Sequence, residues 1–266
     1  MEIQTISNVA IVGSIFSIIL SIGFPIVLMI ICRKKFKARI SSFFIGAATF
    51  VLFALVLEQI SHMGVLVGLG LNAKSNKWLY YIYAASAAAV FEETGRIIAM
   101  KYFMKKKCDF PNAFMYGIGH GGIEAIIIGG ISSISNLVSM LMINSGMMQA
   151  SLSGLSDEVR NKTITRLSAL WTTSETFFFA PGIERVSAAI LHIGLSLLIY
   201  NGLKQCKKKI VAMAFGIHFI VDFVVVACAS VLSVWLIGAI LFVCAVTTFI
   251  FAYRLNKGTD VNLQHI

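Results

Sequence analysis

Charge is what this chain has least of. Asp, Glu, Lys and Arg make up 13% of its 266 residues, against 58% hydrophobic ones. A soluble domain of this size needs a charged surface, so the composition excludes an ordinary soluble globular protein. Acidic residues are scarcer still: 12, against 22 basic ones, for a formal net charge of +10. In a soluble protein that excess would suggest nucleic acid as a partner. Here the basic residues fall in short clusters between apolar runs, and no nucleic-acid module is present, so they read as topology signals. Cysteine is limited to Cys32, Cys108, Cys206, Cys228 and Cys244. The odd number, and the lack of any metal-ligand spacing, argue against a disulfide framework. H-E-x-x-H and G-x-S-x-G are both missing, and with them two motif-based routes to a hydrolase. There is no internal repeat, no low-complexity segment, and no proline inside the polar spans described below.

What is present is a series of long apolar runs. They predict an all-α, polytopic transmembrane bundle of about seven spans, forming one integral membrane domain over 1–266. The spans run from about Asn8 to Cys32, Ile40 to Leu57, Trp78 to Met104, Ala113 to Ile131 or beyond, Ile183 to Leu203, Ile210 to Cys228, and Val231 to Tyr253. The first is too long for the apolar region of a signal peptide and is read as a retained helix. Between Gly146 and Ala180, Leu155, Val159, Ile164, Leu167 and Leu170 recur at helical spacing, which predicts a helix lying in the interface. Basic clusters follow spans one, three, five and seven and hold 15 of the 22 basic residues, whereas the opposite side holds six. That bias places the N-terminus outside and the C-terminus in the cytoplasm. The expected location is the bacterial plasma membrane.

Charged groups inside a bilayer cost about 2.5–3.5 kcal/mol each on insertion scales, so those that persist need a reason. Span three carries Glu92, Glu93 and Arg96; span four Tyr116, His120 and Glu124; span five His192, with Glu184 near its outer end; span six His218 and Asp222. The pairs Glu92/Arg96, Tyr116/His120, His120/Glu124 and His218/Asp222 are each four apart and share a helix face. Measured from the basic end at about 1.5 Å per residue, Glu92 lies roughly 20 Å deep, His120 about 12, His192 about 18 and His218 about 13. Spans three to six are therefore expected to close around one polar pocket, with carboxylate and imidazole atoms within about 8 Å of one another. One glutamate should face the histidines and the other take Arg96, while Glu124 should orient His120. Glu58 and His62, also four apart, are assigned to the outer interface, away from the pocket. His265 is given no role. Gly117, Gly119 and Gly122 fit G-x-G-x-x-G, but inside an apolar helix they serve close packing rather than a dinucleotide.

These motifs resemble the YhfC family of intramembrane peptidases, grouped with the type II CAAX prenyl proteases and the PrsW proteases. The likeness rests on Glu92-Glu93-Thr94-Gly95-Arg96, Gly119-His120-Gly121-Gly122-Ile123-Glu124, Glu184-Arg185 with His192, and His218-x-x-x-Asp222, in that order over about 78–228. Relative to the CAAX branch, Arg96 is one residue closer, Tyr116 stands where that branch has Phe, and Asp222 where it has Asn. The resemblance implies hydrolysis of a peptide bond in a membrane-associated protein or peptide. Glu92 would activate water, assisted by Glu93, with Arg96 setting its charge. His120 and His218 would hold a divalent metal such as zinc or stabilise the oxyanion, while Asp222, Glu124, His192, Tyr116 and Glu184 support them. The residues alone leave open a metal-dependent or a metal-free glutamate peptidase. They also leave open a proton-coupled transporter or channel, and a non-catalytic membrane scaffold of the same fold.

Overall fold

The structure is a computed structural model that describes residues 3–74 and 76–263; His265 lies outside them. Among the described residues all regular structure is helical. Seven long helices dominate: α1 (Asn8–Phe36), α2 (Ile40–Gly68), α3 (Lys77–Ile98), α4 (Phe110–Asn144), α5 (Ala180–Lys204), α6 (Lys208–Cys228) and α7 (Val234–Leu263). Six of them are long and apolar enough to cross a membrane. The remaining one, α3, runs on through a π-helical stretch to Met104 and matches the others in length. It falls short in apolarity because it carries Glu92, Glu93 and Arg96.

Local chemistry sets the helix ends. The Ser7 hydroxyl accepts from Ala10 N at the start of α1, and Asn76 Oδ1 accepts from Leu79 N at the start of α3. Arg33, Lys34 and Lys35 close the last turn of α1 and Lys204 that of α5, where positive charge suits the helix dipole. Two spans are longer than hydropathy suggests. α2 runs eleven residues past Leu57; it does not stop at Glu58 because that carboxylate is buried and paired with His62, at 3.2 Å. α4 continues through a serine-rich stretch to Asn144; there Ser139 Oγ donates back to Ser135 O at 2.9 Å, satisfying a hydroxyl within the helix.

The helices pack as two compact units: Met1–Gly23 with Ala125–Val186, and Phe24–Glu124 with Ser187–Ile266. In the first, Ile6, Ala10, Met140, Ile143, Ile164 and Phe178 belong to one apolar core. Asn144 ties it together, accepting from Ile6 N at 2.8 Å and donating to Ile6 O at 2.9 Å. The interface segment here is several short helices, among them Met147–Leu152 and Asp157–Leu167. Ile164 and Leu170 are buried in the core, whereas Leu155 and Val159 are exposed.

In the second unit α5 is central. Its residues from Leu191 to Tyr200 are buried on every side, as expected of a helix that is apolar all round. Glycines bring neighbouring backbones into contact with α4. A Cβ at Gly119 would lie 1.9 Å from Phe43 O, and one at Gly46 2.1 Å from Tyr116 O. Gly117 and Gly121 face the α5 backbone in the same way, at Ile193 and Ala189. The G-x-G-x-x-G pattern thus serves helix packing. Gly119→Ala and Gly46→Ala should each destabilise the detergent-solubilised protein by at least about 1–3 kcal/mol. Gly216→Ala, where a Cβ meets open space, should leave the thermal-aggregation midpoint unchanged. Equal midpoints for all three would refute this packing.

Candidate active site

Helices α3 to α6 of the second unit place Glu92, Glu93 and Arg96, then His120 and Glu124, then His192, then His218 in one buried cluster; each is under 10% exposed. Asp222 stands at its edge with 32% of its side chain exposed. The expected convergence is met at hydrogen-bonding distance. Arg96 sits in the middle: Nη1 pairs with Glu93 Oε1, and Nη2 lies 3.4 Å from Glu92 Oε2 and 2.5 Å from His192 Nδ1. His120 Nε2 is 2.8 Å from Glu92 Oε2, and His218 Nδ1 is 2.8 Å from Glu93 Oε1. The rings of His120, His192 and His218 form a row, with centroids 5.2 and 5.6 Å apart.

Two of these imidazoles are held alike. His192 turns Nδ1 to Arg96 and Glu92 and Nε2 to Glu124 Oε2, at 2.5 Å. His218 turns Nδ1 to Glu93 and Nε2 to Asp222 Oδ2, at 3.3 Å. In each, one nitrogen faces the cluster and the other an orienting carboxylate. Glu92, His192 and His218 each offer a ligand atom, and these atoms lie within 4.8 Å of one another.

Two expectations are corrected. The glutamates do not divide between histidine and arginine. Each takes a histidine, because the rings come from α4 on one side and α6 on the other, and Arg96 bridges the two. Glu124 does not orient His120; it holds His192. α5 approaches α4 so closely at Gly121 that the next turn of α4 meets the α5 ring. Tyr116 is fully buried with its ring 6.0 Å from that of His120. Glu184 belongs to the first unit, where it pairs with Arg185 at 2.5 Å.

Glu58 was misassigned from sequence. It is buried within α2, which runs on past it to Gly68, and does not stand at the membrane interface. Its partner His62 makes a second hydrogen bond, Nδ1 to Tyr83 OH at 3.0 Å. The signal was available: Glu58 and His62 show the same four-residue spacing as the other stripes. Phe50, whose ring meets His120 edge-on at 5.3 Å, carried no such signal.

Residues 17–246 match the family described as "YhfC intramembrane metalloprotease". The chain belongs to the YhfC family. It is also 36% identical over 196 residues to a protein of Bacillus subtilis (strain 168) named as an uncharacterized membrane protein, YhfC; the match covers 73% of this chain and 75% of that one. No solved structure gives a match. The family match spans every residue of the cluster.

Proposed function

We propose that this YhfC-family chain is an intramembrane metallopeptidase whose metal is held by Glu92, His192 and His218. The observation that carries this reading is the paired construction of His192 and His218. Metal-binding histidines are oriented in this way, with one nitrogen toward the ion and a carboxylate behind the other. Charge supports it. Glu92, Glu93 and Glu124 are buried with a single guanidinium, so the donor set is short of positive charge and fits a cation. When bound, a divalent metal supplies a Lewis acid that activates water and polarises the scissile carbonyl.

The remaining groups have separable tasks. Glu92 Oε2 is already shared among Arg96, His120 and His192, so Glu93 is the better general base. Its Oε2 is buried without a hydrogen-bond partner among the described residues. Glu93 takes the proton from the attacking water and returns it to the leaving amine. Arg96 keeps Nε–H buried and without a hydrogen-bond partner among the described residues, a donor for the developing oxyanion. His120 holds Glu92 through Nε2. The substrate is a membrane-associated protein or peptide, reached from within the bilayer.

One observation favours a second reading. Outside the cluster, Glu58, His62 and Tyr83 form a further row of linked titratable side chains, which is how a proton relay is built. Cleavage of a membrane-embedded peptide by purified protein separates the two. The peptidase reading predicts loss of activity on chelation and recovery with divalent metal. It also predicts a fall of about 10²-fold or more in Glu93→Gln, and no cleavage in His192→Ala or His218→Ala. Proton flux in vesicles without cleavage would establish the relay.

The basic-cluster bias further supports a bacterial plasma-membrane protein with its N-terminus outside and C-terminus in the cytoplasm. A single reporter cysteine placed at Lys107, in a chain otherwise free of cysteine, should react with an impermeant reagent only in inside-out vesicles. Labelling from the outside of intact cells would reverse the orientation.

A further inference from the structure

A second feature of the same unit lies away from the cluster, at the basic end of the bundle. A cavity of about 310 Å³ opens where α3 and α5 finish. Met100, Tyr200 and Leu203 line it together with Lys101, Lys105 and Lys204, and no carboxylate is among its lining residues. Lys101 and Lys105 make no ion pair among the described residues; Lys101 Nζ rests over the Tyr102 ring and Lys204 Nζ over the Tyr200 ring, each 5.5 Å from the centroid. The nearby Asp109 is engaged elsewhere, accepting from Asn112 N and Nδ2 at 2.9 and 2.7 Å. Cys108 also lines the cavity. Burial and Asp109 push its thiol up to about 12, so it is a neutral wall and not a nucleophile.

Leu203 is shared with an adjoining groove of about 500 Å³. That groove is apolar, lined by Ile97, Val211, Ala212 and Phe215, with one further amine, Lys208. Tyr102 and Phe103 stand exposed beside Lys101, as aromatic residues do at a membrane interface. The cleft is thus amphipathic: a lysine-rimmed chamber with apolar walls that shares Leu203 with a second, apolar groove.

We propose that this cleft binds one anionic phospholipid. Its phosphate lies among Lys101, Lys105 and Lys204, and an acyl chain follows Leu203 along the groove. A free phosphate or nucleotide would use the lysines and leave the apolar half of the cleft without purpose. Basic pockets between membrane helices hold anionic headgroups by this chemistry. Ile97 adjoins Arg96 in sequence, so the lipid would brace the helix that carries the active-site charges.

Native mass spectrometry of the full chain with phosphatidylglycerol or phosphatidylcholine tests this. Wild type should keep one phosphatidylglycerol through a delipidating wash. Each lysine near a headgroup contributes a factor of about five, so Lys101→Gln/Lys105→Gln/Lys204→Gln should lose that lipid by more than about tenfold. Leu203→Trp, which keeps the lysines and fills the shared wall, should lose it too and provides an independent test if the triple variant does not fold. Lys34→Gln/Lys35→Gln/Lys37→Gln, altered at another basic cluster, should bind like wild type. Equal loss in that control would show diffuse charge and overturn the site. Displacement by millimolar inorganic phosphate, or equal retention of phosphatidylcholine, would overturn the assignment to an anionic lipid.

Discussion

A guanidinium buried inside a membrane bundle has to be paired, and the pairing of Arg96 organises everything around it. It is fully enclosed and reaches Glu93, Glu92 and His192 with two terminal nitrogens. Taking one partner from such a pair leaves an uncompensated charge, at a cost of about 3–5 kcal/mol. The arginine therefore fixes the rotamers of both glutamates and one imidazole. Those glutamates in turn fix His120 and His218. One cation thus holds together side chains from four helices, and a loose arrangement of the same residues would be of little use to catalysis.

Packing makes that arrangement possible. His192 reaches the cluster because α5 is surrounded, and α5 can be surrounded because α4 meets it with Gly117 and Gly121. On its other face α4 presents Gly119 to Phe43 O of α2. The polar residues of α4 then alternate with contacts that leave no room for a side chain. Small residues and charged ones are two parts of one design: the glycines bring backbones close enough for short-reaching imidazoles to touch carboxylates on another helix. The basic end of α3 shows the same economy, since the turn after Arg96 supplies Ile97, Met100 and Lys101 to the lysine-rimmed cleft.

Much of this was legible in the sequence, for definite reasons. Membrane spans announce themselves by length and apolarity, and residues four apart share a face. Depth along a helix follows from its rise, so the sequence alone places Glu92, His120, His192 and His218 at similar levels. Which side chain partners which was not legible. Glu124 was expected behind His120 because both lie on one face of α4, but its partner is on α5, and spacing within one helix says nothing about its neighbours. Glu58 was lost because hydropathy ends a span at the first run of polar residues. A buried, paired carboxylate breaks that rule without breaking the helix. The π-helical stretches, such as Ala125–Gly130 directly after Glu124, also had no signature, since backbone register within a helix is set by tertiary packing.

The central claim is that Glu92, His192 and His218 hold a metal while Glu93 and His120 do not. Elemental analysis of the purified full-length protein, after exchange into metal-free buffer and titration with a divalent ion, addresses it without any substrate. One tightly bound ion per chain is expected in wild type, in Glu93→Gln and in His120→Ala, and loss of that ion in His192→Ala and His218→Ala. A wild-type protein that retains no ion, or histidine variants that retain it undiminished, would rule out this metal site.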